Sequence, residues 1–163
     1  MKKQILFSIL MIVIATSLSA QKIPSVDLKT INGKTCNTSS IITNKGKPIV
    51  ISFWATWCKP CIKELSAFHD NYIDWQEETG VKIVAISIDD TRSMSRVAPF
   101  VNAKGWEFEV YCDPNGDFKR AMNVANPPHT FLIDGSGNIV WQHSGYVEGD
   151  EEELYKKIKG LKK

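Results

Sequence analysis

Seven residues, Ile49-Val50-Ile51-Ser52-Phe53-Trp54-Ala55, form a nearly unbroken apolar run. A run of that length reads as a strand covered on both faces. Trp57-Cys58-Lys59-Pro60-Cys61 follows almost at once. Beyond it Ile62, Leu65, Phe68, Tyr72 and Trp75 recur at spacings of three and four, which predicts a helix from Lys59 to Glu78 ended by Gly80. Two cysteines therefore stand where a buried strand hands over to a helix. Cys58 falls at the helix N-terminus, beside backbone N–H groups that have no intrahelical partner. Those groups and the helix dipole favour a thiolate. Lys59 adds positive charge, and Pro60 suits a first turn, where its missing N–H costs nothing. Two residues between the cysteines allow a disulfide across the turn, with the first sulfur exposed and the second behind it.

The rest of the chain builds a setting around that junction. Val26 to Ser40 reads as a hairpin turning at Asn32-Gly33. Val81 to Asp89 is a second buried strand, and Ser93 to Lys104 a helix with Met94, Val97 and Val101 on one face. Phe108 to Tyr111 is a short strand, Asp113 to Gly116 a turn, and Phe118 to Val124 a short helix. Thr130–Asp134 and Asn138–His143 form a closing hairpin. Asp150 to Lys162 is a terminal helix, with Asp150 at the N-cap and Glu153 in capping-box position. Alternating strands and helices predict an α/β domain, with a mixed sheet flanked by helices on both faces and an N-terminal hairpin extension.

Length and composition agree. The 163 residues suit one domain, with 43% apolar and 23% charged residues. Seven Phe, five Trp and four Tyr supply a substantial core. A net charge of +2 gives no field that points to nucleic acid.

Met1-Lys2-Lys3, the apolar run Ile5 to Ala15, and Thr16-Ser17-Leu18-Ser19-Ala20 follow the order of a secretory signal peptide. The apolar run is shorter than the roughly 20 residues of a spanning helix. Cleavage is expected after Ala20, leaving a domain of residues 21–163 in the periplasm; the alternative is an uncleaved membrane anchor. Removing residues 1–20 takes Lys2 and Lys3 and leaves 18 basic against 18 acidic residues. Export places the cysteines where disulfides persist.

The string Phe53-Trp54-Ala55-Thr56-Trp57-Cys58-Lys59-Pro60-Cys61-Ile62-Lys63-Glu64-Leu65 resembles the thioredoxin-like superfamily, and within it the TlpA/ResA-like exported thiol–disulfide oxidoreductases. Val84 to Asp89 and Pro128-His129-Thr130-Phe131-Leu132-Ile133-Asp134 extend the likeness over most of the mature chain. The resemblance implies a thioredoxin-like fold and a Cys58/Cys61 redox couple. It also implies a cis Pro128 facing the cysteines. Protein disulfides or dithiols are the implied substrates, including apocytochromes c, with reduction the favoured direction. A membrane-bound thiol reductant is the implied recycling partner, and a monomer is expected. Where thioredoxins carry a buried Asp near the end of the first active-site strand, this chain has Ser52. ResA-like members instead carry a Glu three residues after the second cysteine, and Glu64 matches it. The other reading of Glu64 is a solvated residue that suits the helix dipole.

Trp57, Lys59, Pro60, Pro127, Pro128 and His129 are candidate substrate contacts. Pro127 departs from the family pattern, because it has no N–H to pair with a docked strand. His129 is either a base near the sulfurs or a packing residue. Cys36 and Cys112 are either a disulfide or two small buried residues.

No metal, haem or nicotinamide is implied. A zinc site needs four ligands, usually as two close pairs, and there is no second C-x-x-C. Haem attachment needs His where Ile62 stands. The rivals are a copper metallochaperone, for which this fold uses C-x-x-x-C, a thiol peroxidase, and a redox-inert interaction module.

Overall fold

The computed structural model describes residues 22–161. The expected signal segment lies outside them. Seven strands form one sheet: β1 (Asp27–Thr30), β2 (Thr35–Asn37), β3 (Ile49–Trp54), β4 (Lys82–Ser87), β5 (Glu109–Cys112), β6 (His129–Ile133) and β7 (Ile139–Ser144). Their order across the sheet is β2-β1-β5-β4-β3-β6-β7. β3, β4 and β5 are parallel, while β1, β2, β6 and β7 join antiparallel. The fold is thioredoxin-like, and the N-terminal hairpin is part of the central sheet, through β1 on β5.

β3 and β4 lie in the middle of this order, which explains their nearly continuous apolar runs. Every residue of β3 is buried. The helices α2 (Lys59–Thr79), α3 (Val97–Lys104) and α5 (Asp150–Gly160) cover one face of the sheet. There Val50 and Trp54 pack with Leu65, Phe68, Trp75 and Leu154. The short helices α1 (Thr38–Ile41) and α4 (Asp117–Ala121) cover the other face, where Ile51, Phe53, Val84 and Ile86 meet Ile41 and Phe118.

Three local expectations are corrected. The second hairpin strand ends at Asn37 rather than continuing to Ser40. Asn37 Oδ1 accepts from the Ser39 N–H at 3.0 Å and starts α1, because a capping side chain competes with strand pairing. The segment from Ser93 begins with a 3₁₀ turn, Met94–Arg96, before α3. The α5 cap is Gly149, at φ 105°, rather than Asp150. A backbone turn that favours glycine moves the helix start by one residue. Asp150 Oδ2 then accepts from the Val147 N–H at 2.8 Å, and Glu153 pairs with Lys157 instead of closing a capping box.

Cys36 and Cys112 are free. The register explains why. Cys36 stands opposite Leu28 and Cys112 opposite Lys29, so the two side chains project to opposite faces of the sheet. Burial pushes the Cys112 thiol up to about 12, with the nearby Asp89 carboxylate adding to the effect.

The loop before β3 and the β6–β7 turn touch backbone to backbone. A Cβ built on Gly135 would stand 2.0 Å from the Gly46 carbonyl oxygen. Gly135→Ala is therefore expected to destabilise the fold by about 1–3 kcal/mol, read as a lower urea midpoint at unchanged slope. A midpoint equal to that of the parent chain contradicts this close approach.

Candidate active site

The site is built where β3 ends. The Cys58 N–H donates to the Ala55 carbonyl at 3.0 Å, closing a turn that aims the chain into α2. Cys58 is the N-cap of α2, and its Sγ accepts from the Cys61 N–H at 3.3 Å. The sulfur thus occupies the position where an oxygen-bearing side chain usually satisfies an orphan donor. Pro60 sits in the first turn, and Gly80 at φ 70° ends the helix by donating its N–H to the Gln76 carbonyl. Cys58 and Cys61 are joined as a disulfide, with Cα atoms 5.3 Å apart. Cys58 retains 5% of its surface and Cys61 none, so a partner reaches the first sulfur only. Trp57 beside it is 63% exposed, as large an apolar surface as the site offers.

Glu64 lies one turn into α2 and is buried at 3% exposure. This removes the solvated reading of that residue. The Ser52 hydroxyl donates to Glu64 Oε2 at 2.7 Å, and the Thr130 hydroxyl donates to Oε1 at 2.8 Å. Ser52 and Thr130 are direct partners across β3 and β6, so one pair of opposed hydroxyls receives both carboxyl oxygens. Burial raises the Glu64 pKa from 4.5 to about 7, the two hydroxyls pull it down in part, and Asp150 pushes it further up. At neutral pH this carboxyl is poised between its two protonation states.

Residues 19–142 match the AhpC/TSA family. The chain belongs to this family. It is 36% identical over 115 residues to the thiol-disulfide oxidoreductase ResA of Bacillus thuringiensis subsp. konkukian, covering 70% of this chain and 65% of that one. The chain therefore spans about 65% of the length of that relative. An uncharacterized thioredoxin-like protein from Porphyromonas gingivalis superposes with a TM-score of 0.76 at 52% identity, over 86% of this chain and 91% of that one. A thiol:disulfide interchange protein from Chlorobium tepidum gives 0.68 at 26% identity, over 86% and 97%.

In this AhpC/TSA-family chain the remaining candidates divide. Lys59 and Pro60 are exposed beside the disulfide. The Pro127–Pro128 bond is cis, Pro128 is buried, and the Pro128 carbonyl accepts from the Gly145 N–H at 2.9 Å. His129 is placed differently from Glu64. It pairs with Phe53 in register, so its ring lies on the face of the sheet away from α2. There it stacks on Phe131 at 4.5 Å, with Nε2 3.2 Å from Gln142 Oε1. Among the described residues no three His, Cys, Asp or Glu side chains converge to hold a metal ion.

Sequence reasoning passed over Thr130, which completes the Glu64 cradle. The available signal was a pair of hydroxyl residues, Ser52 and Thr130, inside otherwise apolar strands.

Glu64 ties stability to pH. Between about pH 4.5 and 7 the native chain keeps a proton that the unfolded chain releases, so stability falls as pH rises through that window. Relative to Glu64→Gln, the parent chain is expected to lose on the order of 3 kcal/mol from pH 4.5 to 8. Denaturant midpoints measured at both pH values check this. Parallel profiles for the two proteins contradict the raised pKa.

Proposed function

We propose that this protein is an exported thiol–disulfide oxidoreductase that exchanges disulfides with protein partners through Cys58 and Cys61. The observation that carries the reading is the position of the disulfide: its first sulfur caps a helix on a residue that keeps 5% of its surface, its second is closed off, and a neutral-poised carboxyl lies one turn away. The matched relative named thiol-disulfide oxidoreductase supports it.

The chemistry follows from thiol exchange. In the reduced protein the Cys58 thiolate attacks one sulfur of a partner disulfide. A Cys58–partner S–S bond forms, the partner S–S bond breaks, and the second partner sulfur leaves as thiolate. Cys61 then gives up its proton and attacks Cys58 Sγ. The Cys58–Cys61 bond forms, the mixed disulfide breaks, and the partner leaves with both sulfurs reduced. Two electrons have passed from the cysteine pair to the partner. Glu64 accepts the Cys61 proton, for which a pKa of about 7 suits it. Trp57, Lys59 and Pro60 form the exposed surround of the reacting sulfur, and Pro127 and Pro128 contribute a docking edge with no N–H of its own.

The reducing direction, apocytochrome-like substrates, a membrane-bound recycling reductant and a periplasmic location after removal of residues 1–20 complete the reading. They rest on the family resemblance and the N-terminal sequence pattern. Among the described residues no helix is long and apolar enough to cross a membrane.

Insulin reduction with dithiothreitol is expected to depend on both cysteines and to slow about tenfold or more in Glu64→Gln. Equal rates for Cys58→Ser and the parent chain contradict the oxidoreductase reading. A couple near −270 mV places the protein with reductants, and one near about −120 mV with oxidants.

A further inference from the structure

Two further buried carboxyls, Asp89 and Asp113, lie outside this chemistry, and Asp89 is the one that grips the approach to Cys58. Asp89 lies just past the end of β4, is fully buried, and has no Lys or Arg partner among the described residues. An unpaired interior carboxylate costs stability unless hydrogen bonds replace its water. Here they do. The Thr56 N–H donates to Asp89 Oδ2 at 2.8 Å, and the Thr56 hydroxyl donates to Oδ1 at 2.6 Å. The Ser87 hydroxyl also donates to Oδ2 at 2.8 Å, and accepts from the Asp89 N–H at 3.1 Å. Both oxygens thus grip one residue, Thr56, by its backbone and its side chain together.

Thr56 lies between the end of β3 and Cys58. Its neighbours are held too: the Ile88 N–H donates to the Trp54 carbonyl at 2.8 Å, and the Cys58 N–H to the Ala55 carbonyl at 3.0 Å. Thr56 is half-buried, and both of its donors turn inward to the buried carboxylate. The carboxylate thereby gives a fixed direction to the loop that delivers Cys58 to the start of α2. Two anchors on one residue restrict both its backbone and its χ1.

We infer that Asp89, through Thr56, is a positioning residue for the redox couple: it holds the Ala55–Cys58 turn so that the Cys58 sulfur stays within reach of Cys61 when the disulfide is open. Holding two reacting groups together raises their effective concentration. The clamp therefore favours closure of the Cys58–Cys61 disulfide, and its release favours the dithiol. This rests on Cys58 and Cys61 being the exchanging pair, though not on any particular protein partner.

The test measures the equilibrium constant for closing the Cys58–Cys61 disulfide against the glutathione couple, with denaturant midpoints recorded in parallel. Thr56→Val removes the hydroxyl bond and keeps the N–H bond and the Asp89 charge. It is expected to lower the constant threefold or more, and Thr56→Ser to restore it. Asp89→Asn keeps one acceptor oxygen but removes the charge from the Thr56 hydroxyl bond; it is expected to lower the constant as well, and Thr56→Val added to it to change it by less than twofold further, because the two substitutions act on the same bond. A smaller fall in Thr56→Val, or a rise, overturns the inference, whatever the midpoint does; a lower midpoint alone marks a mere loop staple. If Asp89→Asn does not fold, Thr56→Val and Thr56→Ser still decide. Failure of the parent chain to reduce insulin defeats the functional reading instead, and leaves the glutathione measurement intact.

Discussion

A sulfur in the place of a capping oxygen organises this molecule. β3 is buried on both faces and ends abruptly, and α2 begins within a few residues of that end. The first N–H groups of any helix need partners. Here the Cys58 Sγ takes the Cys61 N–H, so the residue that starts the helix is also the residue that carries the chemistry. A thiolate in the same place gains from the dipole and from those donors. The sheet supplies rigidity on one side of the junction, and the apolar stripe Leu65, Phe68, Tyr72 and Trp75 fixes the helix on the other.

The same helix brings a carboxyl into the interior. Glu64 shares the buried stripe with Cys61 and Leu65, which a helix needing only packing would fill with carbon. Its burial is tolerable because Ser52 and Thr130 offer a hydroxyl to each oxygen. The arrangement leaves the proton loosely held near neutrality, unlike a salt-bridged acid, whose pKa would fall. On β3 the residue that faces this carboxyl is Ser52. In this chain the acid comes from the helix, and the strand residue holds it.

Much of this was legible in the residues. The apolar runs of β3 and β4, the cysteine spacing and the period of α2 depend on local pattern, and local pattern is what a sequence displays. The opposed hydroxyls of Ser52 and Thr130 depend on the β3–β6 register, which joins residues far apart in the chain. The opposite faces of Cys36 and Cys112 are likewise a matter of register. His129 follows the cis bond and is adjacent in sequence to the site, yet strand alternation carries its ring to the far face. The Asp89 grip on Thr56 joins the ends of two neighbouring strands, and only their parallel pairing brings them together. The cap of α5 was missed for a backbone reason: Gly149 adopts a φ that residues with a Cβ rarely adopt.

The account depends on Cys58 being a thiolate-forming nucleophile because of where it sits. The direct measurement is the pH dependence of Cys58 alkylation in the reduced protein, with Cys36 and Cys112 replaced by Ser so that the signal belongs to the redox pair. Position at the α2 N-terminus predicts a midpoint clearly below the ordinary thiol value of about 8.5. A midpoint at or above that value would contradict the claim that the strand-to-helix junction activates this sulfur.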